Sequence, residues 1–190
     1  MRAAIILAAG RSRRFGVTNK LLIRRRGKPL LRLAMDAALQ APVGRVIVVT
    51  GADRGRVHDI VHSAGNQRLS IKIARNYRNG HHASLLCGLN ALRSNEKEAL
   101  IFLGDMPMID RNIAQRLVMA ATPATLAVRA THRGLPGHPV LIRNIGKVRD
   151  RLERGEAPFR PNEVTHVEAG KKSIQDIDRP GDLLSLGSVR

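Results

Sequence analysis

The chain has 190 residues, of which 43% are hydrophobic and 25% charged, a balance that excludes a disordered or fibrous polypeptide and suffices for a sizeable core. Its 33 Lys and Arg outweigh 15 Asp and Glu for a formal net charge of +18, so its field favours anionic partners. Stacking aromatics and a recognisable reading module are lacking (three Phe, one Tyr, no Trp), which argues against a specific nucleic-acid reader, and a lone cysteine excludes an intrachain disulfide framework.

Ala3–Ala9 is an apolar run that reads as a buried strand. It is too short to span a membrane, and it breaks into Gly10 and a group of arginines, unlike a signal peptide, so the cytoplasm is the expected location and no membrane partner is expected. Pro29–Gln40 predicts a helix with Pro29 in its first turn and Leu30, Leu31, Leu33, Ala34, Ala37 and Ala38 at helical spacing. Val46–Thr50 is a second buried strand, Arg54–Ala64 a polar helix and Leu69–Ala74 a third strand. Gly80 leads into a helix over Ala83–Arg93, in which Cys87 reads as a small buried hydrophobe. Ala99–Leu103 is a fourth strand, and Ile109–Ala121 a helix. Thr125–Arg129 and Pro139–Ile142 are further strand candidates, and Asn144–Arg154 reads as a helix. An irregular loop over Arg154–Asn162 and a short helix over Pro180–Leu186 complete the chain.

Strands that alternate with helices predict an α/β fold: a doubly wound, mostly parallel sheet with helices on both faces, here as one domain over residues 1–190. Right-handed crossovers then bring the carboxyl ends of the strands to one edge, where ligands bind. Gly10, after the first strand, and Asp105, after the fourth, belong at that edge.

Leu7, Ala8, Ala9 and Gly10 let backbone amides approach a ligand closely, and Arg11, Arg13, Arg14, Lys20 and Lys28 add charge nearby. Phosphates need both fixed donors and neutralising cations. The stretch is neither a Walker A loop nor the G-x-G-x-x-G dinucleotide fingerprint. From the residues alone, a tight turn beside a basic surface reads equally well.

Leu7-Ala8-Ala9-Gly10-x-Ser12-x-Arg14-Phe15-Gly16, followed by Asn19-Lys20 and Gly27-Lys28-Pro29-Leu30-Leu31, resembles the signature of the MobA-like nucleotidyltransferases, and within them the molybdenum cofactor cytidylyltransferases. The resemblance covers nearly the whole chain and is strongest over residues 3–31, 99–109 and 174–183. It implies a Rossmann-like fold of the nucleotide-diphospho-sugar transferase type. It also implies that Ala9 and Gly10 face the nucleobase and phosphates, while Arg14 and Lys20 bind the triphosphate. The alanine at Ala9 leans toward CTP, with GTP the other choice.

In Leu103-Gly104-Asp105-Met106-Pro107 one carboxylate stands at a strand tip. Mg²⁺ takes one or two carboxylates and keeps phosphate oxygens and waters as its other ligands, so Asp105 is the candidate metal ligand; the family carries a similar Gly-Asp-x-Pro at its metal site. Asp178, in a segment that resembles the family's C-terminal Asp-Ile-Asp-Thr-Pro-Glu-Asp-Leu, is either a second ligand or the cap of a helix starting near Pro180. On the acceptor side, Gly137-His138-Pro139 resembles the cytidylyltransferase Gly-His-Pro, with His138 a candidate contact to a phosphate or a pterin edge. Asn76, Gly80, Ser84 and Leu85 match a family pattern, whereas His82 and Ala83 replace its serines. The family's Gly-Asp-x-Gly-Ala-Arg-like segment is absent; Arg154–Pro161 stands in its place.

The expected activity is Mg²⁺-dependent transfer of a nucleoside monophosphate from an NTP to a pterin-type or other phosphorylated acceptor, with Arg14, Lys20 and Asp105 as the catalytic set and a molybdoenzyme as a possible client. A nucleotide-binding accessory protein without transfer activity and a transferase acting on another small acceptor are the alternatives. Oligomeric state has no signature in the sequence.

Overall fold

The computed structural model describes residues 1–10, 19–110, 112–177 and 182. In chain order its elements are β1 (Arg2–Ala8), the two-residue strands β2 (Arg24–Arg25) and β3 (Lys28–Pro29), α1 (Leu30–Gln40), β4 (Arg45–Thr50) and α2 (Arg54–His62). Then follow β5 (Leu69–Ile73), α3 (His81–Asn90), β6 (Glu98–Leu103), α4 (Ile113–Met119), β7 (Ala127–His132), β8 (Leu135–Ile142), α5 (Ile145–Glu153) and β9 (Val164–Glu168).

Runs of four or five consecutive buried residues in β1, β4 and β6 mark strands covered on both faces. They lie inside a seven-stranded sheet of order β5-β4-β1-β6-β8-β7-β9. Among the described residues only β8 runs against the rest; its pairings with β6 and β7 are antiparallel, and the other pairings of this sheet are parallel.

Alternation along the strands splits the apolar residues between two cores. Ala4, Ile6, Val46, Val48, Leu100 and Phe102 pack with α1, α2 and α4 on one face. Ala3, Ile5, Ile47, Val49, Ala99 and Ile101 pack with α3 and α5 on the other. α1 earns its place through Leu30, Leu31, Ala34, Met35 and Ala38, a stripe with helical spacing that is wholly buried. Each large apolar side chain buried in this way contributes roughly 1.5–3 kcal/mol. Cys87 is half-buried on α3 against the second core, and burial raises its thiol pKa, as an inert packing residue requires.

The predicted elements are present with shifted ends. Pro29 precedes α1 rather than opening it, because it closes the β2–β3 hairpin. The helix expected from Ile109 starts at Ile113, and Ile109 is instead buried in the turn after β6. β7 and β8 extend to a two-residue hairpin whose Arg133 and Gly134 both have positive φ (50° and 79°); Arg26 and Gly27 (49° and 75°) do the same between β2 and β3. Such turns suit the twist of paired strands, but Arg-Gly is a weak sequence signal for them. β9 was not expected, since as an edge strand it buries little and lacks an apolar run. The helix expected over Pro180–Leu186 lies outside the described residues, apart from Asp182.

Candidate active site

β1 ends at Ala8; Ala8 and the following Ala9 are buried, and Gly10 is exposed with open space around it. Leu7 is paired with Leu103 across β1 and β6, and the Gly104 amide donates to the Leu7 carbonyl at 3.1 Å. The chain beyond each strand therefore leaves the sheet side by side, which brings Gly10 and Asp105 to the same edge. Backbones are crowded here. A Cβ at Gly51 would stand 2.6 Å from the Tyr77 ring and 3.0 Å from the Ala9 carbonyl, so only glycine lets the turn around Tyr77 close over the β1 tip.

Lys20 opens a short helical turn, Lys20–Leu22, anchored by buried Leu21. Asn19 caps that turn: its side-chain oxygen accepts from the Leu21 amide at 3.0 Å, while its Nδ2 donates to Asp53 Oδ2 at 3.2 Å. This scaffold aims Lys20 Nζ at Asp105 Oδ2, 2.5 Å away, with side-chain exposures of 15% and 18%. Thr50, at the neighbouring tip of β4, has a buried hydroxyl without a hydrogen-bond partner among the described residues.

The acceptor-side candidates approach the same edge from other elements. Gly80, with φ of 92°, ends the turn that holds exposed Asn76 and leads into α3, where Ser84 is buried in the first turn. His138 enters on β8, whose reversed direction delivers its start to the edge where β6 ends. The His138 ring donates from Nδ1 to the Ile101 carbonyl at 3.3 Å, because a carbonyl only accepts. Loss of water around the ring pulls its pKa down to about 4; Arg129 and His81 act in the same direction, and Asp105 opposes them.

The tail closes this wall. A Cβ at Gly137 would collide with the Ser173 carbonyl, and the Ile177 amide donates to the Asp105 carbonyl at 3.2 Å. Asp176 and Ile177 thus run beside the acidic centre, while Asp178 and Arg14 lie outside the described residues. Lys20, Asp105, His138 and the β1 tip are brought together.

Charge is distributed unevenly between the two edges. At the opposite edge, Glu96 clamps Arg45 (2.6 Å), Glu98 holds Arg2 and Arg143, and Glu163 holds Arg151 and Lys147. Those acids are occupied as structural clamps. Among the described residues no group of three His, Cys, Asp or Glu could cage a metal ion. A single carboxylate at a strand tip fits Mg²⁺, which completes its shell with phosphate oxygens and water, and does not fit a zinc centre. Sequence reasoning left out Asp53, Thr50 and Arg129 as site residues. Asp53 and Thr50 do follow from their place at the carboxyl end of β4, whereas nothing in the local sequence singles out Arg129.

Comparison with known proteins supplies the chemical context. The family described as MobA-like NTP transferase domain matches residues 4–162. The chain is 28% identical over 173 residues to the bifunctional protein GlmU of Trichlorobacter lovleyi, covering 88% of this chain and 37% of that one, so it spans a little over a third of the length of such relatives. It is 27% identical over 192 residues to the molybdenum cofactor cytidylyltransferase of Escherichia coli, covering 95% of this chain and 93% of that protein. Two solved structures share the fold. One is 4-diphosphocytidyl-2C-methyl-D-erythritol synthase from Anaerococcus prevotii (TM-score 0.79, 15% identity, 97% and 93% covered). The other is the manganese complex of Rv0371C from Mycobacterium tuberculosis (TM-score 0.73, 21% identity, 97% and 96% covered).

Proposed function

Because the chain belongs to the MobA-like NTP transferase family, a family of nucleotidyltransferases, we propose that it transfers CMP from CTP to the phosphate of a molybdopterin-type acceptor and releases pyrophosphate. The observation that carries this reading is the Lys20–Asp105 pair beside the β1 tip, a cation and a carboxylate 2.5 Å apart on the edge that Gly10 opens. Triphosphate recognition calls for that combination: fixed amides, an ammonium for phosphate charge and a carboxylate for a divalent ion.

An acceptor phosphate oxygen attacks the α-phosphorus in line. The new O–P bond forms as the α–β phosphoanhydride bond breaks, and pyrophosphate carries away the electron pair. The acceptor oxygen is already ionised, so no general base is needed, and catalysis rests on positioning and charge neutralisation. Lys20, together with Arg14, takes up charge on the departing phosphates. Asp105, with Asp178, would hold Mg²⁺, which when bound would supply further neutralisation of the phosphate oxygens. Ala8, Ala9 and Gly10 cradle the nucleotide. Asn76, Gly80, Ser84 and His138 line the acceptor half. The alanine at position 9 and the cytidylyltransferase relative support CTP. The cytoplasm is the compartment where CTP and such an acceptor meet, and among the described residues no helix is long and apolar enough to cross a membrane.

The likenesses to GlmU and to the diphosphocytidyl-methylerythritol synthase favour a second reading, in which the same nucleotide half serves another small phosphorylated acceptor. A thermal-shift screen of the four NTPs, each with and without Mg²⁺, tests the nucleotide half. A stabilisation by CTP that grows with Mg²⁺ is expected, and no shift with any NTP refutes the proposal. Pyrophosphate release from CTP in the presence of molybdopterin then separates the two readings.

A further inference from the structure

Among the described residues most of the shielded arginines are matched by acids; Arg149 on α5 and Arg129 on β7 are not, and Arg149 donates to the Leu89 carbonyl. Arg2, Arg45, Arg143 and Arg151 each hold a glutamate. Among the described residues Arg129 makes no ion pair, and its Nε is sealed from solvent without a hydrogen-bond partner. Its guanidinium carbon lies 5.7 Å from the centre of the Phe159 ring, one of three phenylalanines in the chain. Phe159 comes from the irregular loop before β9 and packs with the second core.

Register fixes where this cation sits. Arg129 is opposite Val140 on β8 and opposite His166 on β9. His138 is two residues before Val140, in the stretch of β8 where the pairing with β7 shifts register between Arg129 and Thr131. The two side chains are near enough for the Arg129 charge to oppose protonation of His138. The Arg129 guanidinium, packed on Phe159, stands on the α3–α5 face, and His138 lies near the edge where β6 delivers Asp105. With Nδ1 donating to the Ile101 carbonyl, the neutral His138 ring keeps Nε2 as a hydrogen-bond acceptor.

A half-buried guanidinium without a counter-ion is costly to hold in place. It is worth holding where a ligand brings the missing charge. We infer that Arg129 is the anion-binding residue of the acceptor half: it takes a phosphate monoester carried by the acceptor through its planar fork, Phe159 covers the guanidinium from the other side, and His138 accepts a hydrogen bond from a donor next to that phosphate. The inference rests on the nucleotidyl-transfer reading and deepens it, since it assigns the acceptor's charged group to the β7–β8 face, apart from the triphosphate at Lys20.

Calorimetric titration of phenyl phosphate into enzyme presaturated with an α,β-methylene CTP analogue and MgCl2 is the test, because the nucleotide half is then filled. One phenyl phosphate is expected to bind. Arg129→Gln weakens it about tenfold or more, as loss of a charge-assisted bidentate contact does. Arg129→Lys, which keeps the charge but not the fork, falls between the two. The affinity for the CTP analogue stays unchanged in both variants. Arg129→Gln also melts no lower than the wild type, since it removes a cation that no acid compensates; a purely structural arginine would lower the melting temperature. Equal phenyl phosphate affinity in wild type and Arg129→Gln overturns the subsite, as does a wild type that binds none while the CTP analogue still binds. Failure of the analogue itself to bind the wild type refutes the nucleotidyl-transfer reading, and the subsite with it.

Discussion

Asp105→Asn separates the structural and the chemical work of the acidic centre. The substitution keeps shape and leaves the backbone bonds from Ile177 and to Leu7 in place, so β6 and the tail hold. It removes the negative charge 2.5 Å from Lys20 Nζ. An exposed pair contributes about 0–1 kcal/mol, whereas breaking a fully buried one costs about 3–5 kcal/mol. With side chains only 15% and 18% exposed, this pair falls between those limits, at about 2–3 kcal/mol. In a chain of this size that is a fall of about 5–10 °C in melting temperature. Ligand stabilisation provides the second reading of the same experiment. At a hundred times its Kd, a nucleotide adds about 2.7 kcal/mol to the wild type. Part of that increment appears only with Mg²⁺ if Asp105 holds the ion. Differential scanning fluorimetry of both proteins, with CTP and with or without MgCl2, measures all of these terms. An Asn variant that keeps the full Mg²⁺-dependent increment refutes the metal role, and one that melts at the wild-type temperature refutes the energetic weight given to the pair.

His138 makes stability depend on pH. Its folded value of about 4 lies below the usual 6.5, so between those values the unfolded chain binds the extra proton. The stabilisation is complete above pH 6.5 and is lost as pH falls toward 4. His138→Gln flattens that part of the profile, measured as the urea midpoint at pH 4.5 and pH 7, and an unaltered slope contradicts the burial of the ring. Gly88 stands where α3 crosses β1: an added Cβ would lie 2.6 Å from Ile5 Cγ2 and 3.2 Å from Val49 Cγ2. Alanine gains about 1 kcal/mol of helix propensity, and overpacking costs about 1–3 kcal/mol, so Gly88→Ala is expected to lose up to about 2 kcal/mol in chemical denaturation. A stabilised variant would show that the helix shifts freely on the sheet.

The strands whose sequence announces them are those buried on both faces. β1, β4 and β6 carry unbroken apolar runs because every side chain meets a helix layer, and they were legible to within a residue or so. β9 escaped because an edge strand satisfies its backbone with few apolar contacts. The site divides in the same way. Gly10, Lys20 and Asp105 follow from strand ends and an ordered motif, and the fold brings them together. Arg129 does not follow, because its isolation from acids depends on which residues the sheet and the Phe159 loop place around it. Even the direction of β8 is invisible locally, although it decides that His138 arrives at the ligand edge.

The stitch between the Ile177 amide and the Asp105 carbonyl has a temporal consequence. During synthesis the β1 turn and the acidic strand tip leave the ribosome early, but their far wall is a late-made segment. A nascent chain that stops before Ser173 already has Lys20 and Asp105 but lacks the segment that runs beside Asp105. The strand-tip edge is therefore walled only after residues 173–177 have been made and have folded back beside β6.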